Sequence, residues 1–162
     1  MNEDFKRELN KFLGKASLAT YAGSGFGADS GTGFTELEFK EGDFFYRDSY
    51  AGFFQSWGRE VVWYKGKPVW NSLYGGGMVK EFYGDEQFAH ETFTFLKKAM
   101  SAGAKIEKFQ PRGPQEFKEG EWGYKCEWEG DVEKFSGDEA ILHKGNIVFT
   151  HHFFGGFVTD NR

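Results

Sequence analysis

The run Tyr46-Arg47-Asp48-Ser49-Tyr50, with Glu60 shortly after it, is the densest polar set in the sequence. Carboxylates beside phenols can do one of two things. They can move a proton to and from a bound molecule, or they can hold a small organic ligand by hydrogen bonds. The binding set read here is Tyr46, Asp48, Glu60, Trp63, Trp70 and Tyr74, with the tryptophans and Tyr74 supplying rings around the carboxylates. The bland alternative is that Asp48 accepts hydrogen bonds from loop amides and that the rings are ordinary core. No residue pattern identifies a reaction, so no catalytic residue is assigned.

The remaining reactive types give weaker signals. His151 and His152 are adjacent, so on a strand they point to opposite faces; His143 and His152 could share one face, and His90 belongs to a helical pattern. Two imidazoles without a third ligand compel no metal, and no cofactor is implied. The glycine-rich run from Tyr21 to Gly27 lacks the lysine of a Walker loop and leads from a helix into a strand, the reverse of a dinucleotide-binding turn. Cys126 is the one cysteine, which excludes an internal disulfide and fits a reducing compartment.

The elements that must position the polar set can be read from periodicity. Trp122, Tyr124, Cys126 and Trp128 alternate with Gly123, Lys125, Glu127 and Glu129, a strand with one face inward. Glu38-Phe39-Lys40-Glu41-Gly42 recurs as Glu116-Phe117-Lys118-Glu119-Gly120, and aligning the chain on that recurrence sets Asp48 at the place of Cys126 and Glu60 at that of Glu139. Asp48 is then a carboxylate in an inward apolar row, and it must be paired, hydrogen-bonded or neutralised. Upstream of each copy lies a helical stripe: Phe5, Leu9, Phe12, Leu13 and Ala16, then Phe88, Thr92, Phe95, Leu96 and Ala99. Asn2 and Asp85 stand where N-caps belong.

These patterns predict a single α+β domain over residues 1–162, in two pseudo-repeat halves of about 1–80 and 81–162. Each half is one helix plus a four-stranded antiparallel meander, with residues 34–40 as a fifth, edge strand if present. The whole forms a curved sheet or partly closed barrel with helices on one face. Turns at Gly66-Lys67 and Gly145-Asn146 place Trp63 opposite Trp70 and Leu142 opposite Phe149. The second sheet face is also apolar, so a ligand, a partner or a cavity should cover it.

Composition supports a packed core: 20 Phe, 5 Trp and 7 Tyr outnumber the branched aliphatics almost two to one, and each ring can bury about 150–250 Å². A net charge of -5 disfavours nucleic acid as a partner, no apolar run is long enough for a membrane helix, and a cytoplasmic location is expected.

Tyr21-Ala22-Gly23, Gly42-Asp43, Tyr46-Arg47-Asp48-Ser49-Tyr50, the stretch Glu60 to Trp70, and Tyr74-Gly75-Gly76 together resemble an uncharacterised prokaryotic domain family. Its members stand alone or form the C-terminal part of helix-turn-helix regulators. The resemblance is most specific over residues 12–76, fades in the second half, and carries over no activity and no site residue. It implies, by its regulatory context, a domain that senses an effector. The leading expectation is therefore a non-enzymatic domain that binds a small organic ligand in an aromatic-lined cavity. The alternatives are a small enzyme with Asp48 as general acid or base, and a homodimer or other homo-oligomeric interaction module.

Overall fold

A computed structural model describes residues 2–22, 27–29 and 31–159. Helix α1 (Glu3–Ala19) precedes strands β1 (Ala28–Asp29), β2 (Thr35–Glu41), β3 (Phe44–Gly52), β4 (Gln55–Tyr64) and β5 (Lys67–Met78). A short 3-10 turn (Lys80–Phe82) leads to helix α2 (Glu86–Gly103), and strands β6 (Glu116–Glu119), β7 (Trp122–Asp131), β8 (Lys134–His143) and β9 (Asn146–Phe157) follow. The glycine-rich segment at 23–26 lies outside the described residues.

Both helices start where the sequence signals them. The Asn2 side chain accepts from the Phe5 N–H at 2.9 Å and that of Asp85 from the Phe88 N–H at 3.0 Å, satisfying donors that the first helical turn leaves open. Their apolar stripes bury Leu9, Phe12 and Ala16 in α1, and Phe95, Leu96 and Ala99 in α2. Ring contacts dock them on the same sheet face: Phe12 stacks on Phe44 of β3 at 4.9 Å, and Phe95 on Trp122 of β7 at 5.6 Å.

The sheet corrects the predicted architecture. Among the described residues, nine strands form one antiparallel sheet in the order β1-β2-β3-β4-β5-β9-β8-β7-β6, not two repeats of a helix plus a four-stranded meander, and it is open, not a barrel. The joining ladder runs between the two longest strands, from Trp70 opposite Phe157 to Met78 opposite Phe149. Close approach there depends on Gly76, whose φ is 133°; a Cβ on it would stand 2.3 Å from the Thr150 carbonyl oxygen.

Register also departs from the sequence reading. The β4–β5 turn centres on Lys65 and Gly66, with φ of 50° and 78°, the two positive values that a type I′ hairpin requires. Tyr64 therefore pairs with Lys67, and a bulge between Val62 and Trp63 places Val62, not Trp63, opposite Trp70. Likewise Ile141, not Leu142, faces Phe149 across β8–β9. In each case the extra residue is on the later strand, Val69 in β5 and Val148 in β9, while β4 and β8 keep unbroken register with β3 and β7.

The core lies between the helices and the inner sheet face. The outer face has no element of the chain over it among the described residues; Trp57 is 66% exposed and Phe154 49%. Arg47 is on that side too, donating to Glu38 at 2.8 Å, as alternation away from Asp48 requires. Among the described residues, no helix is long and apolar enough to cross a membrane.

Candidate functional site

Between the helices and strands β3, β4, β5 and β9 lies a cavity of about 240 Å³. Alternation in each strand decides what it contains. Asp48 and Glu60 are register partners across β3–β4, and Tyr74 and His151 project from β5 and β9 onto the same face. Arg112 enters from the segment joining α2 to β6. Phe53, Phe93 and Phe149 contribute rings, and Lys97 of α2 holds its ammonium 5.3 Å from the centre of the Tyr21 ring.

Two hydrogen-bonded acid–phenol pairs occupy one side. Tyr74 donates its hydroxyl hydrogen to Asp48 at 2.8 Å, and Tyr46 donates to Glu60 at 2.7 Å. Burial, then the neighbouring Glu60 carboxyl, pushes the Asp48 carboxyl up to about 7 against the pull of Tyr74 and Arg112. Glu60 is raised as well, chiefly by burial, with Arg112 and Tyr46 opposing. Asp48 thus keeps its proton to a higher pH than a free carboxyl does, and Glu60 shifts in the same direction.

The other side is an ion-paired network around Glu139 of β8. Arg112 Nε donates to Glu139 Oε1 at 2.9 Å, Tyr124 donates to Oε2 at 2.6 Å, and His151 Nδ1 lies 3.1 Å from Oε1. Burial alone would raise this carboxyl, but Arg112, His151 and Tyr124 together hold it at about 2. Tyr124 in turn accepts from the Gly113 N–H at 2.9 Å, which ties the Arg112 segment to the sheet. Arg112 also lies 4.6 Å from the centre of the Tyr74 ring, a cation–π contact that joins both sides of the cavity.

Because ionised Glu139 can only accept, His151 Nδ1 carries the hydrogen between them. Burial lowers the His151 pKa, so its ring is neutral at pH 7 and Nε2 bears a lone pair. That Nε2 is buried and has no hydrogen-bond partner in the protein, although His151 lines the cavity. A buried polar atom without a partner is costly unless something else supplies one.

Of the residues singled out from the sequence, Tyr46, Asp48, Glu60 and Tyr74 meet in this cavity. Trp70 lies deeper, its Nε1 donating to the Val132 carbonyl at 3.1 Å, beside a separate hollow of about 40 Å³. Trp63 is on the outer face against Phe45, at 5.3 Å between ring centres, because it alternates with inward Glu60 and Val62 in unbroken register with β3. His143 and His152 do not share a face: His143 stacks on Trp122 under α2 at 4.4 Å, while exposed His152 meets Asp138 at 2.9 Å. Among the described residues, no group of three or more His, Cys, Asp or Glu side chains could hold a metal ion.

Arg112, Glu139, Tyr124 and His151 were missed as a group. Glu139 carried a readable signal, since it alternates with Phe135 and Ile141 as an acid in an inward row. Arg112 carried none, because its segment has no period.

A model of the family described as Domain of unknown function (DUF5680) matches residues 48–158, more than half of the chain. The match runs through the second half, where the sequence resemblance had faded. No curated protein and no solved structure matches.

Proposed function

We propose, for a chain that belongs to the DUF5680 family and takes no activity from that membership, that the cavity beneath the helices binds a small organic molecule. The observation carrying this is the buried, unpartnered Nε2 of His151 in a cavity lined by rings and carboxyls. An apolar pocket with a few convergent polar groups is the usual form of a ligand site. A cavity of about 150 Å³ is enough for benzene, so about 240 Å³ suits a substituted single ring. The regulatory context implied by the family resemblance, attachment to helix-turn-helix segments, would make the occupant an effector.

Ligand-observed NMR against one-ring fragments tests the reading. Binders should appear with the unmodified chain and be lost in Thr94→Trp, which sets an indole at the cavity wall formed by α2. A library without a single binder that this substitution removes overturns it.

A second reading, acid–base catalysis, draws on the contact of Tyr74 with Asp48: a titratable pair 2.8 Å apart on the cavity wall. Prolonged incubation separates the two. A binder recovered chemically unchanged supports the first reading, and one converted to an isomer or cleavage product supports the second.

A further inference from the structure

We infer that the outer face of the sheet docks on the same face of a second copy of this chain, with Phe154 on the two-fold axis and Arg59 of each copy over Glu129 of the other. The cavity lies on the opposite face of the sheet, so this inference and the ligand-binding reading stand or fall separately.

Register sets out the patch. One row of exposed side chains crosses five strands: Arg59 of β4 is opposite Leu73 of β5, Leu73 opposite Phe154 of β9, Phe154 opposite Ser136 of β8, and Ser136 opposite Glu129 of β7. In the next row Trp57 pairs with Gly75, and a Cβ on that glycine would stand 2.1 Å from the indole. The ring therefore lies against the bare backbone of β5, held in place yet exposed. Trp57, Leu73 and Phe154 together put an apolar patch at the centre of a face that a water-facing sheet would make polar.

Charge chooses the occupant. The row ends in a cation on β4 and an anion on β7, each two strands from Phe154, and neither makes an ion pair among the described residues. A two-fold axis running along β9 turns the row end for end: Phe154 meets its own copy, and each Arg59 meets the other copy's Glu129. Packed sheets lie about 10 Å apart, a gap that these two long side chains close from opposite sides. The same axis brings Trp57 to Glu127, Lys134 to Asn71 and Lys125 to Gln55, so no like charges face each other across it.

The other charges on this face are already matched: Arg47 is paired with Glu36 and Glu38, and Asp138 with His152. An axis along the row instead would set Arg59 on Arg59 and Glu129 on Glu129, which is repulsive. A pattern apolar at its centre and of opposite sign at its two ends is complementary to itself, and a second copy is the partner that carries it.

Size predicts the strength. Five interstrand spacings of about 4.8 Å and six residues of about 3.4 Å outline roughly 500 Å² in projection, below the about 800 Å² that each partner of a standard interface buries. The dimer should therefore dissociate in the micromolar range.

Sedimentation equilibrium of the full chain, from about 1 to about 500 μM, tests this. Twice the monomer mass should be reached at the upper end. Phe154→Asp should weaken association roughly a hundredfold and Arg59→Glu roughly tenfold, while Arg59→Glu combined with Glu129→Arg should recover most of the loss. Each substituted side chain is exposed in the single copy, and circular dichroism verifies that the variants fold. A chain that stays monomeric at every concentration overturns the inference, as does a dimer that Phe154→Asp leaves intact. A dimer unmoved by Arg59→Glu, or not recovered by the paired reversal, overturns the axis along β9.

Discussion

His151 and Glu139 stand opposite each other on β9 and β8, and the imidazole Nδ1 approaches the carboxylate at 3.1 Å while Arg112 occupies the same oxygen at 2.9 Å. Glu139 is the point on which both the imidazole tautomer and the guanidinium position depend. Glu139→Gln leaves Arg112 buried and uncompensated, so it should destabilise the fold by about 3–5 kcal/mol, read from urea unfolding at pH 7. A loss below 1 kcal/mol would show that Arg112 finds another partner.

The same carboxyl sets acid stability. Its folded value of about 2 lies below the roughly 4.3 of an unfolded Glu, so its contribution is complete above the unfolded value and is lost as pH falls toward 2. Unfolding midpoints between pH 5 and 2 should fall, and Glu139→Gln should flatten that fall. Parallel curves for the two proteins would refute the pairing.

Asp48 acts in the opposite sense. Its folded value of about 7 exceeds the roughly 3.9 of an unfolded Asp, so its favourable contribution is present below pH 4 and is lost as pH rises through 7. Asp48→Asn removes that term. The variant should gain stability relative to the unmodified chain between pH 4.5 and 8, and a constant difference across this range would count against a raised carboxyl.

Cys126 is buried, and burial followed by the nearby Glu139 charge pushes its thiol up to about 12. A protonated, enclosed thiol is a poor nucleophile. Ellman's reagent at pH 8 should leave the native chain unlabelled over an hour and label it at once in denaturant; rapid native labelling would contradict the burial.

Gly76→Ala should cost more than Gly42→Ala. Both glycines have positive φ, but a Cβ at Gly42 meets nothing within 4 Å, whereas at Gly76 it collides with the Thr150 carbonyl. Strain of the first kind costs about 1–2 kcal/mol, and the second adds displacement of the central ladder. Equal losses in thermal melts would mean that β5 and β9 can separate without cost.

The helices, their caps and the inward placement of Asp48 were legible because each depends on residues within a few positions: Asn2 with Phe5, Asp85 with Phe88, Tyr46 with Asp48. The pairing of β5 with β9 was not, since it joins Trp70 to Phe157 across most of the chain and no local period encodes it. Trp63 was misplaced for a third reason. The β4–β5 turn centres on Lys65 and Gly66, not Gly66-Lys67, so Trp63 pairs with Pro68, and alternation after inward Glu60 and Val62 sends it to the outer face. The site inherits all three outcomes: its acids were visible, its histidine was assigned a direction but no partner, and its arginine came from a segment that periodicity cannot address.

An open sheet has two free borders, and in this one they taper. The ladder narrows from twelve-residue strands at the centre to two residues in β1 and four in β6, and β6 carries Glu116, Lys118 and Glu119. Short, charged borders offer little backbone for an incoming strand to zip onto. The fold can thus leave its sheet unclosed around an internal cavity without presenting a template for fibre growth.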